Sequence, residues 1–398
     1  MGKATRYETI ILGAGAAGMM CAIQAGPGTL VLDHAKSPGE KIRISGGGRC
    51  NFTNLHAGPD NFLSENPHFA KSALARYTQW DFIDLVDRHG IAWHEKTLGQ
   101  LFCDGSAKQI VSMLRAEMER AGAKLWLFTA LADLQKTEDG FALSVDREGE
   151  RLELSCRNLV LATGGKSIPK MGATGLAYDI ARQFGLRVTD TRAALAPFTF
   201  SDGRFKALSG LSLPVHAAND RCGFEEALLF THRGLSGPAI LQLSSYWREG
   251  EEISIDLLPG GDGLETLRSR RQFEGRKALT TELSRLLPAR LVDHLAEDAD
   301  FSGNLADQSD RRLNEIVSGL RNWRLTPSGT EGYRTAEVTL GGIDTAELSS
   351  RSMEASSVTG LFFIGEAVDV TGWLGGYNFQ WAWSSGHAAG QEIRRRTD

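Results

Sequence analysis

Three glycines near the start of the chain have the spacing of a phosphate-binding turn. Gly13, Gly15 and Gly18 follow a short apolar run that is rich in β-branched residues. They open a stretch of small residues, 16–25, that is predicted to be a helix. The first glycine permits a tight turn, the second lets backbone N–H groups approach a pyrophosphate, and the third lets the helix lie close to the strand. The helix N-terminus adds unpaired N–H donors and the positive end of a dipole, which suit an anion.

An acidic residue stands in the register that a dinucleotide site requires. Asp33 ends the second predicted strand, residues 29–33, and lies about 20 residues beyond the first glycine, where an acid holds ribose hydroxyls. This context predicts dinucleotide binding, and the alternative is a glycine turn that only packs a strand against a helix. The contacts predicted in this half of the ligand are Gly13, Gly15, Ala16, Ala17, Gly18, Asp33 and His34.

A glycine-rich segment over residues 39–54 is the second candidate ligand contact. Three consecutive glycines beside an arginine are incompatible with a stable helix or strand, but they let the backbone lie flat against a ligand. Lys41 and Arg49 could then neutralise a phosphate or a reduced ring, and the alternative is a flexible surface loop with solvated charges. Cys50 has no evident base nearby, which favours packing over nucleophilic chemistry.

The ends of two later buried strands return the chain to the same place. Residues 158–165 are predicted to be a strand that ends in a small-residue turn, and residues 360–369 a strand that runs into an acidic turn. Gly375 and Gly376 then precede a predicted helix over 378–396. Open α/β sheets bind ligands at the carboxyl ends of their strands. Two glycine–helix junctions at opposite ends of the sequence are explained if one long ligand joins them.

Composition places the chain among ordinary globular proteins. It has 398 residues, 41% hydrophobic and 23% charged, which predicts two or three domains. The net charge of −5 gives no general attraction to nucleic acid or to an anionic membrane. Five scattered cysteines without a C-x-x-C pair fit a reducing cytosol and argue against zinc sites, disulfides and a dithiol flavin reductase. We therefore expect a cytoplasmic protein that neither spans a membrane nor binds a metal.

The remaining pattern predicts an α/β domain interrupted by an insertion. Helices are predicted over 69–89, 106–122 and 175–184, a parallel strand over 124–129 with Ala130 after it, and a hairpin over 141–155. Short strands after residue 191 suggest an antiparallel barrel or sandwich, and residues 264–320 a small helical cap. The predicted division is 1–190 with 341–398, 191–262 with 330–340, and 263–329.

The arginines of the predicted cap admit two interpretations. They suggest nucleic-acid binding, or they are solvated helix faces. Residues 191–340 hold 18 Lys and Arg against 21 Asp and Glu, so the region is not basic overall, which favours the second interpretation. The residues concerned are Arg268, Arg270, Arg271, Arg276, Lys277, Arg311, Arg312, Arg321, Trp323 and Arg324.

Three longer motifs carry a family resemblance. Ser45–Asn51 reads SGGGRCN, Phe230–Pro238 reads FTHRGLSGP, and Gly365–Asn378 reads GEAVDVTGWLGGYN. With the glycine fingerprint, they resemble the flavoproteins with two dinucleotide-binding domains. Within that group they resemble the BaiN/RdsA (YhiN-like) family of NAD(P)/FAD-dependent oxidoreductases, over about residues 8–390. The resemblance implies a Rossmann-like FAD-binding domain of the glutathione-reductase type, with an inserted antiparallel β domain and a helical cap.

The resemblance also implies where FAD would bind. Its ADP half would lie at Gly13–Gly18 and Asp33, and Gly46–Asn51 and Gly375–Gln380 would flank the pyrophosphate and isoalloxazine. Glu366 and Asp369 would lie near the ribityl chain and pyrophosphate. The further implied contacts are Lys41, Gly47, Gly48, Arg49, Cys50, Asn51, Ala130, Ala162, Thr163, Gly164, Gly365, Gly375, Gly376, Tyr377, Asn378 and Phe379.

Two positions depart from the family pattern. Asp33 stands where many such flavoproteins have Glu, which is a tolerable change. Leu176 and Ala177 replace the usual acid and glycine, which puts the contacts of that loop in doubt.

By the same resemblance, the chain would reduce an activated C=C bond with electrons from NAD(P)H. No second G-x-G-x-x-G follows residue 100, so the reductant is expected to dock transiently on the flavin. His232 is the first candidate for the proton donor, unless it is a structural histidine, and Cys50 and Tyr377 are weaker candidates. Two alternatives stay open. In the first, the substrate is not a small molecule but a uridine of ribosomal RNA that becomes dihydrouridine. In the second, the chain binds flavin without catalysis.

Overall fold

The computed structural model describes residues 4–397. The strands, in chain order, are β1 Thr5–Leu12, β2 Thr29–Leu32, β3 Asn51–Asn54, β4 Phe62–Leu63, β5 Trp93–Glu95, β6 Gln100–Cys103, β7 Lys124–Trp126, β8 Thr129–Thr137, β9 Gly140–Arg147, β10 Glu150–Leu161, β11 Arg192–Ala194, β12 Phe198–Thr199, β13 Ser212–Ala218, β14 Gly223–Phe230, β15 Gly234–Ser236, β16 Ile253–Asp256, β17 Trp323–Leu325, β18 Gly329–Thr330, β19 Val338–Leu340, β20 Leu361–Phe363 and β21 Thr371–Gly372. The helices are α1 Ala16–Ala25, α2 Glu40–Gly48, α3 Lys71–Arg76, α4 Gln79–Arg88, α5 Lys108–Arg120, α6 Leu176–Gln183, α7 Pro238–Tyr246, α8 Gly263–Glu274, α9 Leu279–Leu283, α10 Ala289–Leu295, α11 Asp310–Arg321 and α12 Tyr377–Thr397.

A parallel sheet in the order β7-β2-β1-β10-β20 forms the centre of the fold. Ile10 of β1 lies opposite Leu30 of β2 and Leu159 of β10, and all three are fully buried. Such continuous apolar strands are typical of a sheet covered on both faces. The first half of β10 also pairs with β9, and β9 pairs in turn with β8, both in antiparallel orientation. All five parallel strands point their carboxyl ends to one edge.

The chain forms two compact units, Met1–Ala193 with Glu337–Asp398, and Ala194–Ala336. The first contains the parallel sheet. The second contains helices α7–α11 and a seven-stranded sheet in the order β17-β16-β13-β14-β15-β12-β18, whose pairs are antiparallel. The predicted Rossmann-like domain with an additional antiparallel sheet is confirmed. The separation of the insertion into a β domain and a cap stays a prediction.

Three predicted elements differ from those observed. The helix predicted over 69–89 is two helices, because α3 ends at Arg76 and Thr78 caps the start of α4. The N–H of Thr78 donates to Asp81 Oδ2 at 2.7 Å. The strand predicted over 124–129 ends at Trp126, since Phe128 has a positive φ of 55° and turns the chain into β8. The first arm of the hairpin predicted over 141–155 is β9. Its second arm and the strand predicted over 158–165 belong to one long strand, β10.

The glycine-rich segment is also more regular than predicted. Its first half, from Glu40, is helical and belongs to α2. Ser45 leaves the helical conformation, and Gly46 and Gly47 adopt left-handed backbone angles, with φ of 57° and 66°. The glycines therefore end a helix and redirect the chain into β3.

Small residues let α1 and α12 pack with their backbones close together. A Cβ atom built on Gly386 of α12 would overlap the carbonyl oxygen of Ala17 in α1. A Cβ on Gly390 would lie 2.5 Å from the carbonyl oxygen of Cys21. Neither contact can relax easily because the neighbour is backbone. The register of the two helices therefore depends on glycine at both positions.

We expect Gly386→Ala to lower the free energy of unfolding by about 1–3 kcal/mol, because the added methyl group forces the two helices apart. The matched control is Gly319→Ala in α11, where a Cβ meets no atom within 4 Å. Relief of the glycine penalty there should raise stability by about 0.5–1 kcal/mol. Urea unfolding of both variants measures the difference. Equal stability of Gly386→Ala and the parent chain would contradict the close contact.

Candidate functional site

The turn after β1 leaves no room for side chains at two of its three glycines. Gly13 has a φ of 107°, and a Cβ on it would overlap the carbonyl oxygen of Ala162. A Cβ on Gly18 would overlap the carbonyl oxygen of Gly13 itself. Gly15 differs, because a Cβ there meets nothing within 4 Å and its φ is −83°. The first and third glycines are thus required by the fold, whereas the second borders open space.

Asp33 holds the turn together from the end of β2. The N–H of Ala14 donates to Asp33 Oδ2 at 2.7 Å, and the N–H of Ala35 donates to Asp33 Oδ1 at 2.9 Å. Each carboxylate oxygen keeps a further acceptor position that a ribose hydroxyl could use. His34 is exposed beside it, and Ala130 is exposed just after Thr129, whose N–H donates to the carbonyl oxygen of Asp33. The structure therefore brings Asp33, His34 and Ala130 together at one sheet edge.

A second network forms around Glu366, in the 3₁₀ turn Gly365–Ala367 that follows β20. Lys41 Nζ donates to Glu366 Oε2 at 2.5 Å and to Ser167 Oγ at 2.6 Å. Glu366 Oε1 accepts from Ser167 Oγ at 2.8 Å and from the N–H of Thr339 at 3.0 Å. The ammonium group predicted to neutralise a phosphate or reduced ring is thus paired with a protein carboxylate.

The network adjoins the first turn. A Cβ on Gly365 would lie 2.9 Å from Cβ of Ala17, at the start of α1. A Cβ on Gly165, just beyond β10, would lie 2.8 Å from Glu366 Oε1. A Cβ on Gly164 would lie 3.8 Å from Glu366 Oε2. The beginning and the end of the chain therefore meet at the carboxyl edge of the parallel sheet.

The glycine pair before α12 lies against β3. Asn54 Nδ2 donates to the carbonyl oxygen of Gly375 at 2.9 Å, and a Cβ on Gly376 would overlap the carbonyl oxygen of Thr53. Oriented to satisfy both of its atoms, the Asn51 amide donates to Thr53 O at 3.1 Å and accepts from the Gly376 N–H at 3.3 Å. The two segments that the resemblance assigned to one cofactor are therefore in contact.

One extended ligand can span both helix N-termini. Helix α12 begins at Tyr377 and meets Ala17 at Gly386, nine residues later (386 − 377). At about 1.5 Å of rise per residue, the two helix starts are about 14 Å apart along α12. Both helices have the positive end of their dipole at their N-terminus, which favours a negatively charged ligand.

Several features fit a phosphate-bearing cofactor here. Thr163 Oγ1 is buried and has no hydrogen-bond partner among residues 4–397. Gly15 and Gly47 both border open space, and Gly15 gives α1 no side-chain cap. A polar atom without a partner is costly when buried, so a ligand hydroxyl or phosphate would satisfy it.

The other residues implied by the resemblance have mainly structural contacts. Asn378 holds the loop at Gly372, accepting from its N–H at 2.8 Å and donating to its carbonyl oxygen at 2.9 Å. Tyr377 is buried against Phe62, and Phe379 stacks on a tryptophan. Arg49, Gly47 and Gly48 lie at the end of α2, where Arg49 is exposed. The cofactor contacts of these residues stay predictions.

Asp369 is buried, and its Oδ2 accepts from the N–H of Glu65 at 2.8 Å. Burial raises the pKa of this carboxyl. The carboxylate of Asp369 therefore binds the backbone of the loop at Glu65. Its place near the pyrophosphate stays a prediction.

Burial argues against the catalytic role considered for Cys50. The side chain is fully buried, and burial raises the pKa of its thiol, so the reactive thiolate is disfavoured. A positive φ of 53° at Cys50 instead marks a backbone role at the end of the glycine turn. Packing is the function that the structure supports for this residue.

His232 lies in the second unit, in the turn between β14 and β15, and is exposed. The other candidate site residues lie in the first unit, so its role as proton donor stays a prediction. Most arginines of the predicted cap have acidic partners within their own unit, which supports the solvated-face interpretation. The pairs are Arg268 and Arg271 with Asp310, Arg270 with Glu282, Arg311 and Arg312 with Glu315, and Arg324 with Glu252.

Ser167 and Thr339 belong to the site but are not evident from the sequence. Thr339 Oγ1 accepts from the N–H of Lys166 at 2.8 Å across 173 positions of sequence. Their only sequence signal is proximity to the glycine pairs at 164–165 and 341–342. Across residues 4–397, no cluster of three or more metal-ligating side chains occurs. In the same range, no helix combines the length and apolarity needed to span a membrane.

We expect a thiol reagent to label at most one cysteine of the native protein. Cys21, Cys50, Cys103 and Cys156 are buried, and only Cys222 is partly accessible. Burial raises the pKa of Cys222 to about 11, so its labelling should be about 100-fold slower than that of a free thiol. Mass spectrometry of the labelled chain checks this. The variant Cys222→Ser should resist labelling entirely, whereas labelling of Cys50 would reopen its catalytic role.

Comparison with known proteins places these features in a family. The family model described as HI0933-like protein Rossmann domain matches residues 7–392. A protein of Escherichia coli (strain K12) named ribosomal RNA dihydrouridine synthase is 54% identical over 98% of both chains. A Clostridium scindens protein named 3-dehydro-bile acid delta(4,6)-reductase is 26% identical over 97% of this chain and 98% of that one.

Among solved structures, the fold resembles that of the 3-ketosteroid-delta4-(5alpha)-dehydrogenase of Rhodococcus jostii RHA1. The TM-score is 0.53 at 14% identity, over 99% of this chain and 98% of that one, so the likeness is one of fold alone. The family match extends over nearly the whole chain, as does the resemblance that the three motifs suggested. The chain therefore belongs to the HI0933-like family of Rossmann-domain proteins.

Proposed function

We propose that the chain is an FAD-dependent oxidoreductase that reduces a uridine of ribosomal RNA to dihydrouridine. The observation that carries this proposal is the 54% identity, over 98% of both chains, to the E. coli protein named for that activity. This is one of the alternatives that the sequence left open. It remains a C=C reduction, because dihydrouridine is uridine with its C5=C6 bond saturated.

The residues at the sheet edge fit the proposed cofactor. The free N–H groups of α1 would bind the pyrophosphate, and Asp33 would accept the ribose hydroxyls. The glycine turn at Gly46–Gly48 and the pair Gly375–Gly376 would border the flavin ring, with the positive end of α12 at its electron-rich edge. FAD supplies the hydride chemistry when it is bound. NAD(P)H is the proposed reductant, docking transiently because the chain carries no second glycine fingerprint after residue 100.

A small conjugated molecule is the second candidate substrate. The 26% identity to the bile-acid reductase, over 97% of the chain, favours it. The ion pairs of the arginine-rich segment also favour a small molecule, because they reduce the positive charge that would attract an RNA backbone. A flavin protein without catalysis is the third possibility, and steady turnover of NAD(P)H with an added acceptor would exclude it.

Complementation tests the proposal directly. The gene for this chain is expressed in an E. coli strain that lacks its 54% identical relative, and nucleosides of digested rRNA are measured by mass spectrometry. We expect the dihydrouridine missing from that strain to return. If the rRNA stays unmodified, and the pure protein binds rRNA without the salt dependence of a phosphate contact, the small-molecule reductase is favoured instead.

We expect Gly15→Val to abolish flavin binding while leaving the fold intact. A side chain at this position meets no protein atom within 4 Å but occupies the space proposed for the pyrophosphate. Stability without cofactor should change by no more than about 0.5 kcal/mol. Flavin absorbance of the purified protein and thermal unfolding of cofactor-free protein are the measurements. The matched variant Gly18→Val should fail to fold, since its Cβ overlaps a backbone oxygen. A fully yellow Gly15→Val protein would contradict the proposed cofactor position.

A further inference from the structure

We propose that Glu337 is the proton donor of the reduction. This inference rests on the proposed function and names the residue that completes its chemistry. Saturation of a C=C bond needs a hydride at one carbon and a proton at the other, and a positioned side chain can provide the proton. The three donor candidates from the sequence do not meet this need, because Cys50 and Tyr377 are buried and His232 lies in the second unit.

Glu337 lies beside the Lys41–Glu366 network. It directly precedes β19, in which Thr339 donates its N–H to Glu366 Oε1 at 3.0 Å. Glu337 lies two residues before Thr339 in the chain, and burial raises the pKa of its carboxyl while the positive charge of Lys41 opposes that rise. Lys41 is itself bonded to Glu366 and Ser167 at the ends of the parallel strands. Glu337 thus borders the same edge as the cofactor site.

The carboxyl group of Glu337 is free to meet a substrate. The residue is exposed, and among residues 4–397 no hydrogen bond or ion pair occupies its carboxylate. The other two carboxylates of this region are committed. Glu366 is held by Lys41, Ser167 and Thr339, and Asp369 is buried and accepts from a backbone N–H.

The surroundings of Glu337 favour its protonated form. Part of the side chain contacts solvent, and part of it is packed among protein atoms. This packing raises the pKa of the carboxyl above its ordinary value, and the charge of Lys41 opposes the shift only in part. The direction of this shift suits a general acid, which must hold its proton until the reaction needs it.

The chemistry balances with one hydride and one proton. In uridine, C6 is the position β to the C4 carbonyl, so C6 would accept the hydride that bound FAD would supply. The electron pair of the C5=C6 bond moves to C5, where conjugation with the C4 carbonyl spreads the negative charge. The carboxyl of Glu337 protonates C5 and becomes a carboxylate. Solvent contact then lets Glu337 regain its proton before the next turnover.

The test separates proton donation from binding. Holoenzyme is reduced anaerobically by light and mixed with rRNA from E. coli that lacks the 54% identical relative. Flavin reoxidation and dihydrouridine formation are followed together, so the natural reductant need not be known. Glu337→Gln keeps the shape of the side chain but cannot release a proton. We expect the oxidation step to slow by about 10²–10⁴-fold, with flavin content and rRNA affinity unchanged.

The pH profile and two further variants make the result specific. For the wild type, the rate should fall as pH rises through the pKa of Glu337, because only the protonated carboxyl donates, whereas Glu337→Gln should show no such fall. Lys41 is the charged group that acts on Glu337, and it is paired with Glu366. We expect this ion pair to be the same in the wild type and in Glu337→Gln. Glu337→Asp should restore part of the rate. Glu119→Gln, on the exposed face of α5, is the matched control and should behave as wild type.

Each other outcome overturns the proposal. A rate for Glu337→Gln within about threefold of wild type would remove Glu337 as the donor while leaving the proposed function intact. An equal loss of flavin or of rRNA affinity would make Glu337 a binding residue. If wild-type holoenzyme forms no dihydrouridine on this rRNA, the proposed function fails, and the assignment of Glu337 fails with it.

Discussion

The structure depends on backbone contacts that admit no side chain. The turn after β1 touches the end of β10, the 3₁₀ turn after β20 touches α1, and α12 lies against α1, each through a glycine. These contacts bring the two ends of the sequence to the carboxyl edge of one parallel sheet. The obstructing atoms are backbone at Gly13 and Gly386 and the rigid Cβ of Ala17 at Gly365, so the arrangement adapts poorly to larger residues. Gly15 and Gly47 border open space, which is where we propose that the cofactor binds.

The polar groups at this edge divide into those with hydrogen-bond partners in the protein and those without. Asp33 accepts from two backbone N–H groups of the turn, and Glu366 is held by Lys41, Ser167 and Thr339. Buried or partly buried charges need such partners, because removing them from water is otherwise costly. Thr163 and Glu337 differ, since neither has a partner among the described residues, so each can interact with a bound molecule.

The inserted unit presents a different electrostatic situation. Its arginines pair with acids on neighbouring helices, so a sequence rich in arginine does not produce a broad basic surface. Recognition of an RNA by such a unit would depend more on the shape of an unpaired base than on backbone charge. The relatives of this chain include one protein named for ribosomal RNA and one named for a bile acid, so both substrate classes occur among proteins similar to it.

Local sequence was sufficient for the glycine turn after β1, for the position of Asp33 at the end of β2, for the start and end of α1, and for the family. Each depends on residues within a few turns of one another, where glycine spacing, apolar runs and capping residues act directly. The break between α3 and α4 was also encoded locally, by the Thr78–Asp81 capping box, but the apolar spacing concealed it. The Lys41–Glu366 pair, the Thr339–Lys166 bond and the place of Glu337 were decided only by tertiary structure. Their partners are separated by 100 residues or more, and no local pattern records which strand ends a parallel sheet will bring together.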